Sequence, residues 1–164
     1  LNNEMDDFAL RPGTPNAFGV LGYDANAVAP GRRMLSSMTP TFMIGKDKVS
    51  VLGGKGGSRI ITMVLLGMLG IEQGQSSEQI VALPRFHHQY LPDSIFMEPD
   101  AVKPETLKTL EAMGHIVAVS KTQWTSLVHS VDWDVRNNTL SGGADPRNEV
   151  GSAVVVPKKT KSKK

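Results

Sequence analysis

The chain has 164 residues, 40% of them hydrophobic but only 5% aromatic, enough for one modest and mostly aliphatic core. It contains no cysteine, which excludes disulfides, thiolate metal sites and a cysteine nucleophile, and no apolar run reaches the ~18 residues of a membrane span. The net charge of +2 misleads, because five of the 18 basic residues (Lys158, Lys159, Lys161, Lys163, Lys164) crowd the last seven positions, leaving 13 against 16 acidic residues and a body of −3. A solvated, disordered basic tail over 157–164 fits this pattern better than a nucleic-acid-binding face.

In chain order, residues 1–40 read as loop. Pro12, Pro15, Pro30 and several glycines break any period, and a structureless stretch of that length is usually functional or covered by a partner. Opening at Leu1 in such sequence, the chain reads as a C-terminal piece of something longer, so its lack of a signal peptide says nothing about export. Residues 41–44 and 48–52, separated by Gly45-Lys46-Asp47, predict a hairpin. The second run meets Gly53-Gly54-Lys55-Gly56-Gly57, and some fourteen proline-free residues follow: strand, glycine turn, helix. With Ile60, Ile61, Met63, Val64, Leu65, Leu66, Met68 and Leu69 on nearly every face, the spacing predicts a helix buried between layers.

Further on, Ser76-Ser77-Glu78 caps a short helix over 78–83 that stops before Pro84. Residues 94–97 predict a strand. The stretch 104–113 predicts an amphipathic helix with Leu107 and Leu110 inward and Gly114 as its stop. Residues 116–119, 126–133 and 139–142 predict strands, the last two joined by the turn Asp134-Val135-Arg136-Asn137-Asn138. Hairpin strands with a few buried helices indicate an α+β layered fold.

Four groups could carry chemistry. The glycine turn presents bare N–H groups at the positive end of a helix, able to hold an anion or a developing oxyanion, or else it needs glycine only for its dihedrals. It is no phosphate loop, since the Walker pattern demands Lys directly before the hydroxyl residue and Gly57-Ser58-Arg59 has none there. Glu4, Asp6 and Asp7 read as a solvated acidic loop, a partner for a substrate ammonium, or more weakly a metal site. Ser36-Ser37 offers hydroxyls and amides to a carboxylate or phosphate, without the elbow of a serine nucleophile. His87 and His88, adjacent in an extended segment, point to opposite sides, so with Arg85 they read as residues that fix a loop rather than as metal ligands.

One order of segments is more specific than any of these alone: LNNEMDDF at 1–8, Asp24-Ala25-Asn26 with Pro30-Gly31, LSSMTPT at 35–41, GGSRIIT at 56–62, ALPRFHHQYLP at 82–92, and Ala144-Asp145-Pro146-Arg147. In this order they resemble the small subunit of γ-glutamyltranspeptidase, or glutathione hydrolase, across roughly residues 1–147. The resemblance implies an N-terminal-nucleophile hydrolase, an αββα four-layer sandwich of which residues 1–156 form the small-subunit portion. It implies a self-cleaving precursor whose new N-terminal Thr, absent from these 164 residues, attacks a γ-glutamyl amide with its own α-amine as base. The large subunit would be the partner, and glutathione or other γ-glutamyl amides the substrates. Water or an amino-acid or peptide would be the acceptor, no cofactor or metal would be needed, and the location would be periplasmic, secreted or cell-surface.

The same resemblance assigns roles. Asp7, assisted by Glu4, receives the substrate ammonium; Ser36 and Ser37 donate to its α-carboxylate; Gly56 and Gly57 offer N–H groups to the oxyanion. Residues 11–24 would form a lid over the glutamyl pocket, with Phe18 where many relatives have Tyr. Lys55 stands where proline is frequent, and the C-terminal valines and lysines also depart. Two other readings stay open: a glutaryl-cephalosporin acylase of the same family, which an intact Glu4/Asp7 pair argues against, and a non-catalytic fragment or pseudoenzyme. By itself the chain is expected to be inactive.

Overall fold

The computed structural model describes residues 4–148 and 151–156; Leu1 and the basic tail expected at 157–164 lie outside the described residues. In chain order the elements are β1 (Thr41–Ile44), β2 (Lys48–Lys55), α1 (Arg59–Glu72), α2 (Ser77–Ala82), β3 (Phe86–His88), β4 (Ile95–Met97), α3 (Pro104–Ala112), β5 (Val117–Val119), β6 (Leu127–Asp134) and β7 (Thr139–Gly143). Before β1 the described residues make two single 3-10 turns, Glu4–Asp7 and Asp24–Asn26, and two isolated bridges, as the proline and glycine content predicts.

Four strands form an antiparallel sheet in the order β1-β2-β6-β7. Alternation sets its two faces: Ser50 and Leu52 on β2, paired with Asp132 and Ser130 on β6, are buried beneath α1 and α2, while Val131 and Trp133 point the other way. The core is the seam between sheet and helices, made by Leu52, Ile60, Met63, Val64, Ile80, Val81 and Val128. Ser50 Oγ donates to the Asp132 carboxylate at 2.6 Å, which gives a buried acidic group a partner between the two central strands.

Strand β2 runs further than its composition suggests. Gly53 and Gly54, expected in the turn, stay in the ladder opposite His129 and Val128. At Gly54 a side chain would run into the Leu127 backbone, so the glycine serves a close approach of strands rather than a bend. The turn proper is Gly56-Gly57-Ser58, and α1 then starts with Ser58 unengaged as a side-chain cap. The burial expected all round α1 is found on one face only. Ile60, Met63, Val64, Gly67 and Gly70 face the sheet, whereas Ile61, Leu65 and Leu69 form an exposed stripe one helical turn apart, because none of the described residues covers it.

Helix α2 opens with a capping box between Ser76 and Gln79, one residue along from the Glu78 that the sequence pointed to. A second sheet, β3-β4-β5, was half visible in the sequence. Its strands β4 and β5 match the expected runs, they pair parallel, and α3 is the crossover that parallel pairing demands. Strand β3, Phe86–His88, pairs antiparallel with β4 and places His87 inward and His88 outward. Leu107 and Leu110 of α3 are only half-buried.

Candidate active site

A cavity of about 710 Å³ opens where the first 3-10 turn, the segment before β1, the glycine turn and the residues leading into β6 converge. Its lining includes Glu4, Asp7, Phe18, Ser37, Gly56 and Gly57, so six of the seven residues given roles by the family resemblance come together from four separate stretches. Ser36 is not among the lining residues; its hydroxyl oxygen accepts the Met38 N–H at 3.2 Å. Met38, Lys55, Arg59, Thr125 and Ser126 also line it and were not picked out as site residues by sequence. For Thr125 and Ser126 the signal was indirect: they precede β6, whose first residue pairs with Lys55 beside the glycine turn.

The glycine turn is shaped by contact as well as by dihedrals. Gly56 has φ +146 and Gly57 φ +58, both in the region that disfavours side chains. A Cβ on Gly56 would come within 2.6 Å of Ser126 Oγ, and one on Gly57 would run into the Phe18 ring. Neither glycine N–H donates to a described residue, while their carbonyls accept the Arg59 and Ile60 N–H groups of the first helical turn. Two backbone donors are therefore left for a bound group at the start of α1.

Opposite in character are the carboxylates. Burial, then the charges of Glu4 and Asp6, and a hydrogen bond that the protonated Asp7 carboxyl makes to Glu4 push the Asp7 carboxyl above its ordinary value. An arriving cation relieves that repulsion. Asn26 ties this turn to the serine segment: its side-chain amide donates to the Asp7 carbonyl at 2.8 Å, and its Oδ1 accepts the Leu35 N–H at 2.9 Å. Asn16 shapes the loop carrying Phe18, its Oδ1 accepting the Phe18 and Val20 N–H groups at 2.9 and 3.0 Å.

The Arg85–Gln89 stretch holds the wall behind the cavity. Gln89 donates to the Phe18 carbonyl at 3.1 Å and accepts from Ser58 Oγ at 2.7 Å, which joins the Phe18 loop to the glycine turn. His87 is fixed between Thr62 and Gln89, at 2.7 and 2.9 Å, and burial lowers its affinity for a proton; His88 turns outward to Asp93. Arg85 donates to the Ser126 carbonyl at 2.6 Å and pairs with Asp145. Arg147 joins Asp145 to Glu98, and Glu98 accepts the Trp124 N–H at 2.6 Å. Burial disfavours the charge on Asp145, yet the Arg85 guanidinium and the Val128 and Arg147 N–H groups hold its carboxyl below the ordinary value. These two buried arginine–carboxylate pairs lock residues 124–126 against the turn.

An antiparallel sheet with helices on one face, a turn with two unengaged N–H groups, and a carboxylate pair across the cavity define the small-subunit half of an N-terminal-nucleophile hydrolase fold. The profile of the family described as gamma-glutamyltranspeptidase matches residues 1–155. The glutathione hydrolase proenzyme of Escherichia coli K12 is 45% identical over 150 residues, covering 90% of this chain and 25% of that protein. In the crystal structure of an acivicin-inhibited gamma-glutamyltranspeptidase, a chain 38% identical superposes with a TM-score of 0.80, covering 91% of this chain and 80% of that one. The Pseudomonas nitroreducens gamma-glutamyltranspeptidase complexed with L-DON is likewise 38% identical, with a TM-score of 0.79 over 96% of this chain and 81% of that one. The chain belongs to the gamma-glutamyltranspeptidase family. It spans about a quarter of the length of the curated relatives it matches.

Proposed function

We propose that the protein containing residues 1–164 is a γ-glutamyltransferase and glutathione hydrolase, acting on γ-glutamyl amides through a γ-glutamyl-enzyme ester. The observation that carries this reading is the cavity's division of labour: Glu4 and Asp7 on one element, Ser37 on a second, and the unengaged Gly56 and Gly57 N–H groups on a third. Glutamate's α-carbon bears an ammonium and a carboxylate, and the carboxylate pair suits the first as Ser37 suits the second. The glycine N–H groups suit the oxygen that becomes negative as the γ-carbonyl turns tetrahedral.

The nucleophile in this reading is a Thr outside residues 1–164. Its hydroxyl oxygen bonds to the γ-carbonyl carbon while its proton passes to the Thr α-amine. The C–N bond then breaks as that proton is delivered to the leaving nitrogen. Water or the amine of an acceptor next attacks the ester, giving glutamate or a new γ-glutamyl amide and restoring the hydroxyl. Residues 1–156 act as the small-subunit portion, and Phe18 with its loop covers the glutamyl pocket.

The large subunit of the same precursor is the proposed partner. Phe42 and Ile44, 67% and 80% exposed, continue with Val131, Trp133 and Leu140 as an apolar face on the side of the sheet away from the helices. In a four-layer sandwich that face meets a second sheet. We place the enzyme in the periplasm or outside the cell on family grounds; among the described residues no helix is long and apolar enough to cross a membrane.

Hydrolysis of matched γ-glutamyl and glutaryl anilides by the enzyme assembled from its whole precursor tests the reading. Glutaryl lacks the α-ammonium, so a γ-glutamyl enzyme prefers the first substrate strongly. Equal rates, or a preference for glutaryl, would overturn it in favour of an acylase, and no turnover of either would point to a non-catalytic relative.

A further inference from the structure

Gln89 faces two ways from the end of β3. Its Nε2 donates to the Phe18 carbonyl at 3.1 Å and to the Leu91 carbonyl at 2.6 Å. Its Oε1 accepts from Ser58 Oγ at 2.7 Å and from His87 Nε2 at 2.9 Å. A backbone carbonyl only accepts, so the nitrogen is the amide atom turned toward the loop, and both donors and both acceptor places of the side chain are filled. His87 is fixed by the same logic. Burial favours its neutral ring, Nε2 carries the proton offered to Gln89, and Nδ1 accepts from Thr62 Oγ1 at 2.7 Å. The acceptor side of Gln89 is thereby bound to the start of α1 by two routes, one through Ser58 and one through His87 and Thr62.

The Phe18 loop has need of such an anchor. Phenylalanine carries no hydroxyl with which to fasten its own ring, and Asn16 serves the loop locally, through the Phe18 and Val20 N–H groups and, at 3.4 Å, the Asp6 carbonyl. The bond from Gln89 instead reaches across 71 positions to the body of the fold. Gly19 packs on the same amide, since a Cβ there would stand 3.1 Å from Gln89 Nε2. Resting on the γ-glutamyl reading above, we propose that Gln89 is a positioning residue, which holds the Phe18 loop against the glycine turn and so keeps the glutamyl pocket covered. It acts through Phe18 and needs no contact with the substrate. Because Ser58 and His87 hold the amide in place, a loop that leaves the turn strands an amide donor that has no second carbonyl to turn to. The grip therefore serves capture of the γ-glutamyl group more than the bond-making step.

Gln89→Glu tests this, because a carboxylate keeps both acceptor places and loses both donors, releasing the loop while leaving the bonds to α1. In the enzyme assembled from the whole precursor, the variant is expected to lose about fivefold in kcat/KM for a γ-glutamyl anilide, the worth of one hydrogen bond, with kcat much less affected. In a Phe18→Ala background the same substitution should cost almost nothing, because the seat it serves is already gone. Hydrogen exchange gives a second reading that needs no turnover. Peptides over 11–24 should exchange faster in Gln89→Glu, while those over β2 and β6 keep wild-type protection. Equal losses with and without the Phe18 ring would overturn the inference, since Gln89 would then act through general stability; so would unchanged exchange over 11–24. If Gln89→Glu does not assemble, Gly19→Ala strains the same bond from the loop side, and the inference falls unless it shows both effects. A wild type that turns over no γ-glutamyl substrate would remove the reading beneath the inference, while exchange would still decide whether Gln89 holds the loop.

Discussion

The Phe18 ring packs where a side chain on Gly57 would have to stand. The loop that brings Phe18 to the cavity wall and the turn proposed to hold the oxyanion are thus fitted to one another through the absence of a single Cβ, and Gly57 is further bound to glycine by its φ of +58.

From that relationship, Gly57→Ala is expected to lower kcat for a γ-glutamyl anilide by about 10²–10³-fold, the effect of losing one oxyanion donor. Adding Phe18→Ala should recover only part of the loss, since it relieves the clash but not the backbone strain. Single-turnover kinetics on the two enzymes would check this; full recovery in the double variant would show that crowding alone was responsible.

Asn26 makes no contact with the cavity's contents in this reading, yet it fastens the Asp7 carbonyl to the Leu35 amide. Asn26→Ala should therefore loosen the two elements that grip the glutamyl group together. We expect KM for γ-glutamyl substrates to rise roughly tenfold, about the worth of one or two hydrogen bonds. Asn26→Asp, which keeps the acceptor for Leu35 but loses the donor to Asp7, should fall between. A change confined to kcat would place Asn26's influence on chemistry instead.

The acid side of the pH profile follows from Asp7. Burial first, and then Glu4 and Asp6, raise its carboxyl above 3.8, and only its ionised form attracts an ammonium. As pH falls through that raised value Asp7 takes up a proton, so kcat/KM should decline at a higher pH than an ordinary carboxylate would give. Glu4→Gln removes one repelling charge and should move the decline to lower pH, though not fully, because burial remains. A limb that stays in place would take Asp7 out of ammonium binding.

On the outer sheet face, Trp133→Glu puts a charge into the apolar patch proposed to meet the large subunit. Strand β6 should survive, since Trp133 is turned away from the core. Co-purification of the two subunits from a processed precursor should fall sharply, while Thr106→Glu on the exposed side of α3 should leave it unchanged. Normal assembly of the Trp133 variant would mean that another surface joins the subunits.

Sequence by itself determined the α+β class and the positions of most strands and helices, because periodicity, proline and glycine act locally, and its ordered segments singled out Glu4, Asp7, Ser37, Gly56 and Gly57 as candidates. It also named the chemistry on offer, an acidic pair and bare amides. Tertiary structure decided which of these share a cavity, leaving Ser36 outside the lining and bringing in Arg59, Thr125 and Ser126. It decided that Gly53 and Gly54 belong to a strand, because the Leu127 backbone presses on Gly54 from 73 positions away. It also decided that, among the described residues, α1 is buried on one face only, that Arg85 and Arg147 are spent on Asp145 and Glu98, and that the Arg59 guanidinium lies over the Trp124 ring. Such outcomes depend on contacts between segments remote in the chain, and local pattern carries no information about which remote group will arrive.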